Sequence, residues 1–438
     1  TPAAAGFAKS RGVPVERLTV REIDGGQYAV ASVHEAGKST LDVLAEALPQ
    51  LINSLHFEKP MRWNDSNVAF SRPIRWLLAL YGERVIPFEF AGMKAANLTR
   101  GLRFHNGDAN AALDDVSGSF VVSSAADYFT HMNREGIILD PEKRRQTIIS
   151  QIQPLMSEVS GQGTISDKLL DEVMQLIEAP TAFRGSFDPE RLSLPQDVLV
   201  SVMQKHQRYF PVWSNNGDLL PYYIGVRNGG SQHLDVVIDG NNLVLGARFA
   251  DAAFFIAEDS HKKLEDFLPR LGTLIFQFKL GSMMDKTARI KTLTGKLAGK
   301  FDLNVDETQT ALRAAHLCKA DLVTNMVIEM TSVQGIMGRY YALISGETPQ
   351  VADAIFEHYL PRTTGDRTAD SMPGLLVGLA DRLDSLVGLF AAGLAPTGAK
   401  DPFAQRRTAL GLVQTLMEKD LNLDLFDALA MAAEQQPI

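Results

Sequence analysis

The spacing of apolar residues changes character along the chain. Two alternating runs between Leu18 and Val33 flank Asp24-Gly25-Gly26, residues suited to the positive φ of a tight turn, and predict a β-hairpin. Leu41, Leu44, Leu48, Leu51 and Ile52 recur at helical spacing and predict a helix over 39–55. A second strand pair is expected over 75–80 and 84–90, joined at Tyr81-Gly82-Glu83. A helix from Pro141 carries Ile148, Ile149 and Ile152, and another over 169–178 is closed by Pro180. A helix over 198–207 then leads into a hairpin, 209–213 with 221–226, around Asn215-Asn216-Gly217. Leu245, Phe249, Ala252 and Ile256 fall on one face of a helix over 241–257.

Beyond His261 the strand signals stop. Phe276, Leu280, Met283, Thr287 and Ile290 share one helical face, and further helices are expected over 312–330, 336–344, 351–359, 374–390 and 403–419. The pattern therefore predicts an α+β chain: mixed α and β over roughly the first 260 residues, then an all-helical region. Short connections favour antiparallel pairing and argue against a doubly wound parallel sheet. The changes of pattern divide the chain at 1–156, 157–262 and 263–438, with no fixed-period repeat and no low-complexity tract.

Composition narrows this only a little. A chain of 438 residues that is 45% hydrophobic and 22% charged is an ordinary globular protein of two or three domains. The net charge of −9 argues against bulk attraction to nucleic acid, although a local basic surface depends on arrangement as well as on the sum. Cys318 is the only cysteine, which forbids an intrachain disulfide and a multi-cysteine zinc site. No apolar run is long enough to span a bilayer, so no membrane contact is expected. The opening TPAAAGFAKS and the abrupt end at Pro437-Ile438 both read as cuts through a longer polypeptide.

The stretch most informative about chemistry runs from Asp381 to Arg407. Leu383, Leu386, Val387 and Phe390 predict one buried helical face, and Gly393, Pro396 and Gly398 interrupt it. Asp401-Pro402 restarts helix, with a carboxylate to cap and a proline at the first helical position. Arg406 and Arg407, with Lys400, then place three cations near a helix N-terminus, where the macrodipole favours acids. Cations in an unfavourable place point to an external polyanion. The alternative is that Arg406 and Arg407 pair with Asp381 or Asp384 across the loop and lock the two helices.

An all-helical region also raises a metal centre, which needs imidazoles and carboxylates converging on a divalent ion. His316, Asp321 and Asp381 are the candidates, yet the chain has no His-Asp dipeptide, and Lys319-Ala320-Asp321 stands where one is expected. A lysine there supplies its own positive charge, so no metal is expected. The run Met203 to Phe210, with Lys205 and Arg208, reads either as an RNA contact or as a solvated helix end leading into a core strand. Arg248, Asp251 and Asp259 read either as a catalytic set or as a helix-borne ion pair beside a core stripe. Met61-Arg62-Trp63, Phe70-Ser71-Arg72-Pro73 and Thr99 to His105 form either a basic aromatic face or strand-end core. Gly37-Lys38-Ser39 lacks the glycine that a phosphate loop requires at Ser32, and Gly161-Gln162-Gly163 lacks the third glycine of a dinucleotide fingerprint.

Several runs, taken in order, resemble the β subunit of bacterial-type glycyl-tRNA synthetase, a two-subunit or fused α–β class II enzyme. They are Met61 to Trp63, Phe70 to Pro73, Arg100 to Phe104, Met203 to Phe210, Arg248 to Phe255, Leu271 to Lys286, Lys319 to Met326, Gln334 to Tyr341 and Asp401 to Arg407. The resemblance covers nearly the whole chain as a middle portion. The family's N-terminal strand region with its Glu-Leu-Pro-Pro run and its C-terminal anticodon-binding domain are not matched. It implies modules like the B3/B4 modules of the phenylalanine enzyme's β chain, followed by a degenerate HD-type domain whose core is His316, Asp321 and Asp381. It also implies that ATP, Mg and catalysis belong to the α part, so neither catalytic residues nor a cofactor are expected here. The implied partners are tRNA(Gly) and an α subunit or fused α region, in an α2β2-type assembly. The candidate tRNA contacts are Lys319, Arg339, Lys400, Arg406, Arg407, Lys205 and Arg208. The implied setting is bacterial cytoplasm, or a plastid or other organelle of bacterial origin. Editing, as in the phenylalanine enzyme, is not expected, because a tight pocket rejects anything larger than glycine by clash. The alternatives are an HD-type metal phosphohydrolase and a structural scaffold for the α part without tRNA contact.

Overall fold

A computed structural model describes all residues except 34–36, 103–118, 164, 364 and 399, and the chain divides into two compact units, Thr1–Leu139 and Asp140–Ile438. Arg103, Phe104 and His105, part of one candidate basic face, lie outside the described residues.

The first unit begins with α1 (Pro2–Ser10) and the expected hairpin, β1 (Leu18–Ile23) with β2 (Gly26–Ala31). Ile23 faces Gly26, so the turn is only Asp24-Gly25, at φ +49° and +78°, and Gly26 belongs to the strand. Ser39 caps α2 (Thr40–Asn53) by accepting the Asp42 N–H. Next come β3 (Met61–Arg62) paired with β4 (Ala69–Phe70), β5 (Leu77–Leu78), the hairpin β6 (Leu80–Tyr81) with β7 (Arg84–Val85), β8 (Glu89–Phe90) and β9 (Met93–Ala96). The second strand pair is thus fragmented. Pro87 has no N–H for a ladder and interrupts the run over 84–90. β9 pairs antiparallel with β8 but parallel with β5, where only antiparallel pairing was expected. β10 (Leu98–Arg100) pairs with β11 (Ser119–Val121), and α3 (Asp127–Arg134) follows. Trp63 and Trp76 remain about two-fifths exposed, the latter under the Arg100 guanidinium, so neither is strand-end core.

The second unit opens with α4 (Pro141–Ser157) and α5 (Asp167–Leu176), which cover one face of an antiparallel sheet. That sheet contains β12 (Pro180–Ser186), β13 (Phe210–Trp213) and β14 (Leu219–Asn228), in the order β12-β14-β13. Period-2 alternation sorts its side chains. Phe210, Val212 and Ile224 pack with Ile148, Ile152, Leu170 and Val173, whereas Phe183, Tyr209 and Tyr223 point to the opposite core. Pro180, expected to end a helix, instead opens β12, a position where a proline is tolerated because it is the first residue of the strand. Between β12 and β13, α6 (Gln196–Ser201) runs into a π-helical turn at Val202–His206. After β14, α7 (Leu234–Ser260) buries Leu245, Phe249, Ala252 and Ile256, the stripe its spacing predicts.

A small hairpin, β15 (Ile275–Gln277) with β16 (Gly281–Ser282), breaks the expected absence of strands beyond His261. The remaining helices are α8 (Met283–Lys300), α9 (Val305–Leu317), α10 (Asn325–Glu329), α11 (Ile336–Ile344), α12 (Pro349–Glu357), α13 (Met372–Ala391), α14 (Gln405–Glu418) and α15 (Leu425–Ala433). α13 is the central rod, touching α8, α9, α12, α14 and α15. Leu376, Leu379 and Leu383 are wholly buried on it, but Phe390, expected on the same face, is half exposed at its end. One hydrophobic core runs from Phe183 and Phe249 through Leu293 and Leu376 to Ala432, so the pattern change at 262 falls inside this unit. Among the described residues no helix is long and apolar enough to cross a membrane.

Candidate nucleic-acid interface

Two helices of the second unit present charged residues at matching i, i+3 positions, a spacing that places side chains on one helical face. Lys286 and Arg289 on α8 meet Asp381 and Asp384 on α13. Lys286 Nζ lies 2.8 Å from Asp381 Oδ1, 2.9 Å from Asp384 Oδ2 and 2.8 Å from the Ser385 hydroxyl. Arg289 donates through Nε to Asp384 Oδ1 at 2.6 Å and through Nη1 to the Leu280 carbonyl. The second oxygen of Asp381 accepts from Lys319 Nζ at 2.7 Å, and that ammonium also sits 2.8 Å from His358 Nε2 and 4.2 Å from the Tyr359 ring centre. Nearly every group in this cluster is out of water. Each therefore depends on the others, because an unpaired buried charge is costly.

The electrostatics follow from that arrangement. Burial alone pushes the Asp381 carboxyl up, but the Lys286 and Lys319 ammonium groups outweigh it and hold it well below the usual carboxylate range. Asp384 is lowered in the same way, burial being overcome by Lys286 and Arg289. His358 is kept neutral by burial and by the Lys319 ammonium, its pKa falling well below its ordinary value. Asp321 differs. Burial raises its pKa to about 6 against the pull of the Gly335 N–H and Lys319, and its Oδ1 has no hydrogen-bond partner among the described residues. Its other oxygen accepts the Gly335 N–H at 2.5 Å. Gly335 has φ +76°, and a Cβ there would lie 2.5 Å from the Tyr359 ring, so only glycine holds this loop.

The structure brings some of the sequence candidates together and scatters others. Of the proposed core of His316, Asp321 and Asp381, His316 is partly exposed and lies 3.4 Å from Glu265 beside Arg313, away from Asp381. His358 is the histidine of the cluster. Nothing in the pattern around it marked it out, and Lys286 and Arg289 were missed because they reach Asp384 from nearly a hundred residues away. Lys319 is 4% exposed and committed to Asp381 and His358, so it is not available to RNA. Arg339 pairs with Asp353 at 2.9 Å and Arg208 with Glu172 at 2.8 Å, both at the surface. Lys205 is exposed, its pKa lowered by partial burial and by Arg362 and Lys168. Tyr209 and Phe210 are buried, so that run is a helix end entering a core strand and does not supply stacking platforms. Asp259 is also structural: it accepts the Asn325 and Met326 N–H groups and the Tyr341 hydroxyl, capping α10, while Arg248 and Asp251 form an exposed pair at 3.8 Å.

Arg406 and Arg407 behave differently from these paired cations. α14 starts at Gln405, two residues later than expected, and Asp401 caps it by accepting the Gln405 and Arg406 N–H groups at 2.8 and 2.9 Å. That leaves both guanidinium groups exposed with no carboxylate at salt-bridge distance among the described residues, and Lys400 likewise. The alternative pairing with Asp381 or Asp384 is overturned, since those carboxylates are already taken by Lys286, Arg289 and Lys319. Beside α14, Gln334, His358, Arg362, Asp381, Arg382 and Arg407 line a pocket of about 240 Å³.

Comparison with known proteins supplies the family. The family model described as "Glycyl-tRNA synthetase beta subunit" matches residues 1–437. The glycine–tRNA ligase beta subunit of Moorella thermoacetica is 47% identical over 434 residues, 99% of this chain and 61% of the relative. That of Desulforamulus reducens is 45% identical over 425 residues, 97% of this chain and 60% of the relative. That of Halalkalibacterium halodurans is 43% identical over 435 residues, covering 99% and 61%. The chain thus spans about three-fifths of the length of these relatives. With nearly every residue matched, the chain belongs to the glycyl-tRNA synthetase beta subunit family.

Proposed function

We propose that this chain is the tRNA-docking region of a glycine–tRNA ligase, holding the acceptor arm of tRNA(Gly) for glycylation at an active site carried by a separate or fused α part. In this reading ATP, Mg and glycine are bound by the α part, in an α2β2-type assembly in the bacterial cytoplasm or an organelle of bacterial origin. The observation that carries it is the group of Lys400, Arg406 and Arg407, exposed and, among the described residues, with no carboxylate at salt-bridge distance at the start of α14. Exposed cations with no carboxylate at salt-bridge distance among the described residues, on a chain of net charge −9, are what phosphate recognition requires, whereas Lys286, Arg289 and Lys319 are consumed by Asp381 and Asp384. The same interior supports a degenerate HD-type reading of the helical region, with the ammonium groups of Lys286 and Lys319 lying on both oxygens of Asp381, where a metal phosphohydrolase would need its ion.

The test is the salt dependence of tRNA(Gly) binding, measured by fluorescence anisotropy on the wild type and on Arg406→Ala/Arg407→Ala. Each phosphate that the protein no longer neutralises flattens the log–log slope by about one, so a change of about two is expected. An unchanged slope in a double variant with wild-type circular dichroism removes these arginines from the interface. Binding of the α part with no tRNA affinity would instead make the chain a scaffold.

A further inference from the structure

We propose that the pocket beside α14 is a phosphate-binding site, seating a single phosphate group of the bound RNA. The inference rests on the tRNA reading and adds to it a defined seat. Three guanidinium groups, Arg362, Arg382 and Arg407, converge on the pocket against one carboxylate, Asp381. None of the three has a carboxylate at salt-bridge distance among the described residues. Arg382 is buried and pinned by main-chain carbonyls, Nη1 donating to Gly378 at 3.0 Å and His358 at 3.3 Å and Nη2 to Leu360 at 2.7 Å, Pro361 at 3.2 Å and Tyr359 at 3.4 Å, so its orientation is fixed and it lends the pocket positive charge, felt by Asp381, rather than free donors. Arg362 donates Nη2 to the Gln334 carbonyl at 3.0 Å, and its buried Nε has no hydrogen-bond partner among the described residues. Arg407 is exposed and lines the pocket from the start of α14.

The single carboxylate does not make the pocket negative, because Lys286 and Lys319 each hold one of its oxygens from behind. Nor do the helix N–H groups provide the site, since Asp401 already occupies those of Gln405 and Arg406. What remains is a concave wall of guanidinium groups, those of Arg362 and Arg382 held in place by main-chain carbonyls, with no carboxylate at salt-bridge distance among the described residues. At about 240 Å³ the pocket lies below the roughly 300–1,000 Å³ of sites for drug-sized ligands, which suits a phosphate group better than a whole cofactor. Lys205 and Lys168, exposed and within electrostatic reach of one another, extend the positive surface from Arg362 outward, as a backbone approaching the pocket would need.

The test uses this 438-residue chain, with inorganic phosphate as the probe of the pocket and a labelled tRNA(Gly) transcript as the probe of the RNA surface. Thermal unfolding is compared in phosphate and in chloride at equal ionic strength. Phosphate is expected to raise the midpoint of the wild type and of Lys300→Ala, a surface variant outside the pocket. Arg407→Ala is expected to abolish the rise, and Arg407→Lys to restore part of it. In anisotropy titrations Arg407→Ala should bind RNA about tenfold more weakly, the loss of one charge-assisted hydrogen bond. Phosphate should compete with RNA on the wild type but not on that variant. Equal phosphate stabilisation in the wild type and Arg407→Ala overturns the site. RNA binding that ignores both phosphate and Arg407→Ala also overturns it, leaving the tRNA reading intact. A phosphate response without RNA binding overturns RNA as the occupant and the tRNA reading with it.

Discussion

Replacing Asp384 by alanine removes the carboxylate on which the α8–α13 contact depends. Asp384 is 1% exposed and receives Arg289 at 2.6 Å, Lys286 at 2.9 Å and the Gln436 side-chain amide at 3.0 Å. Lys286 would keep Asp381 and Ser385, but Arg289, 8% exposed, would keep only the Leu280 carbonyl. Removing one partner of a buried ion pair and leaving the other stranded costs about 3–5 kcal/mol. For a unit of the size of Asp140–Ile438, the unfolding entropy scales to a midpoint shift of roughly 5–8 °C. The assay is thermal and urea unfolding followed by far-UV circular dichroism at pH 7.5, with the urea m-value checked for constancy. Asp384→Asn keeps the shape and one acceptor, so it should lose less. A loss under about 1 kcal/mol for Asp384→Ala, at unchanged m-value, would falsify the claim that the cluster is mutually dependent.

Two further outcomes follow from the same region. Asp321 has its pKa raised to about 6 in the fold, above the ordinary 3.8, so between these values the folded chain binds a proton that the unfolded chain does not. The wild type should therefore gain stability relative to Asp321→Asn as pH falls from about 7.5 to 5, read as the difference of urea midpoints; a constant difference, or one moving the other way, refutes the assignment. Because ammonium groups lie on both oxygens of Asp381, elemental analysis after incubation with Mn, Fe or Zn and desalting should find less than one metal per chain. A stoichiometric metal lost on mutation of His358 or Asp381 would revive the phosphohydrolase reading.

Much of the fold was legible because it depends on local periodicity. The stripe Leu245, Phe249, Ala252 and Ile256 is buried as its spacing requires, and the turn at Asp24-Gly25 forms where positive φ is cheapest. The parallel pairing of β9 with β5 and the entry of Pro180 into β12 were not legible, since pairing partners rather than propensity decide them. The family was legible in the ordered series of short runs and is borne out over residues 1–437.

For the candidate site the division is sharper. The sequence by itself determined that Lys400, Arg406 and Arg407 stand where the helix dipole disfavours them, a one-dimensional fact about spacing from a cap. Only the tertiary structure decided that they have no carboxylate at salt-bridge distance among the described residues, because that depends on Asp381 and Asp384 being saturated by Lys286, Arg289 and Lys319 from elsewhere in the fold. The exchange of His316 for His358 has the same cause. Which histidine joins the buried cluster around Lys319 and Asp381 depends on how α9 and the end of α12 pack against α13, and burial then favours pairing of the charges there.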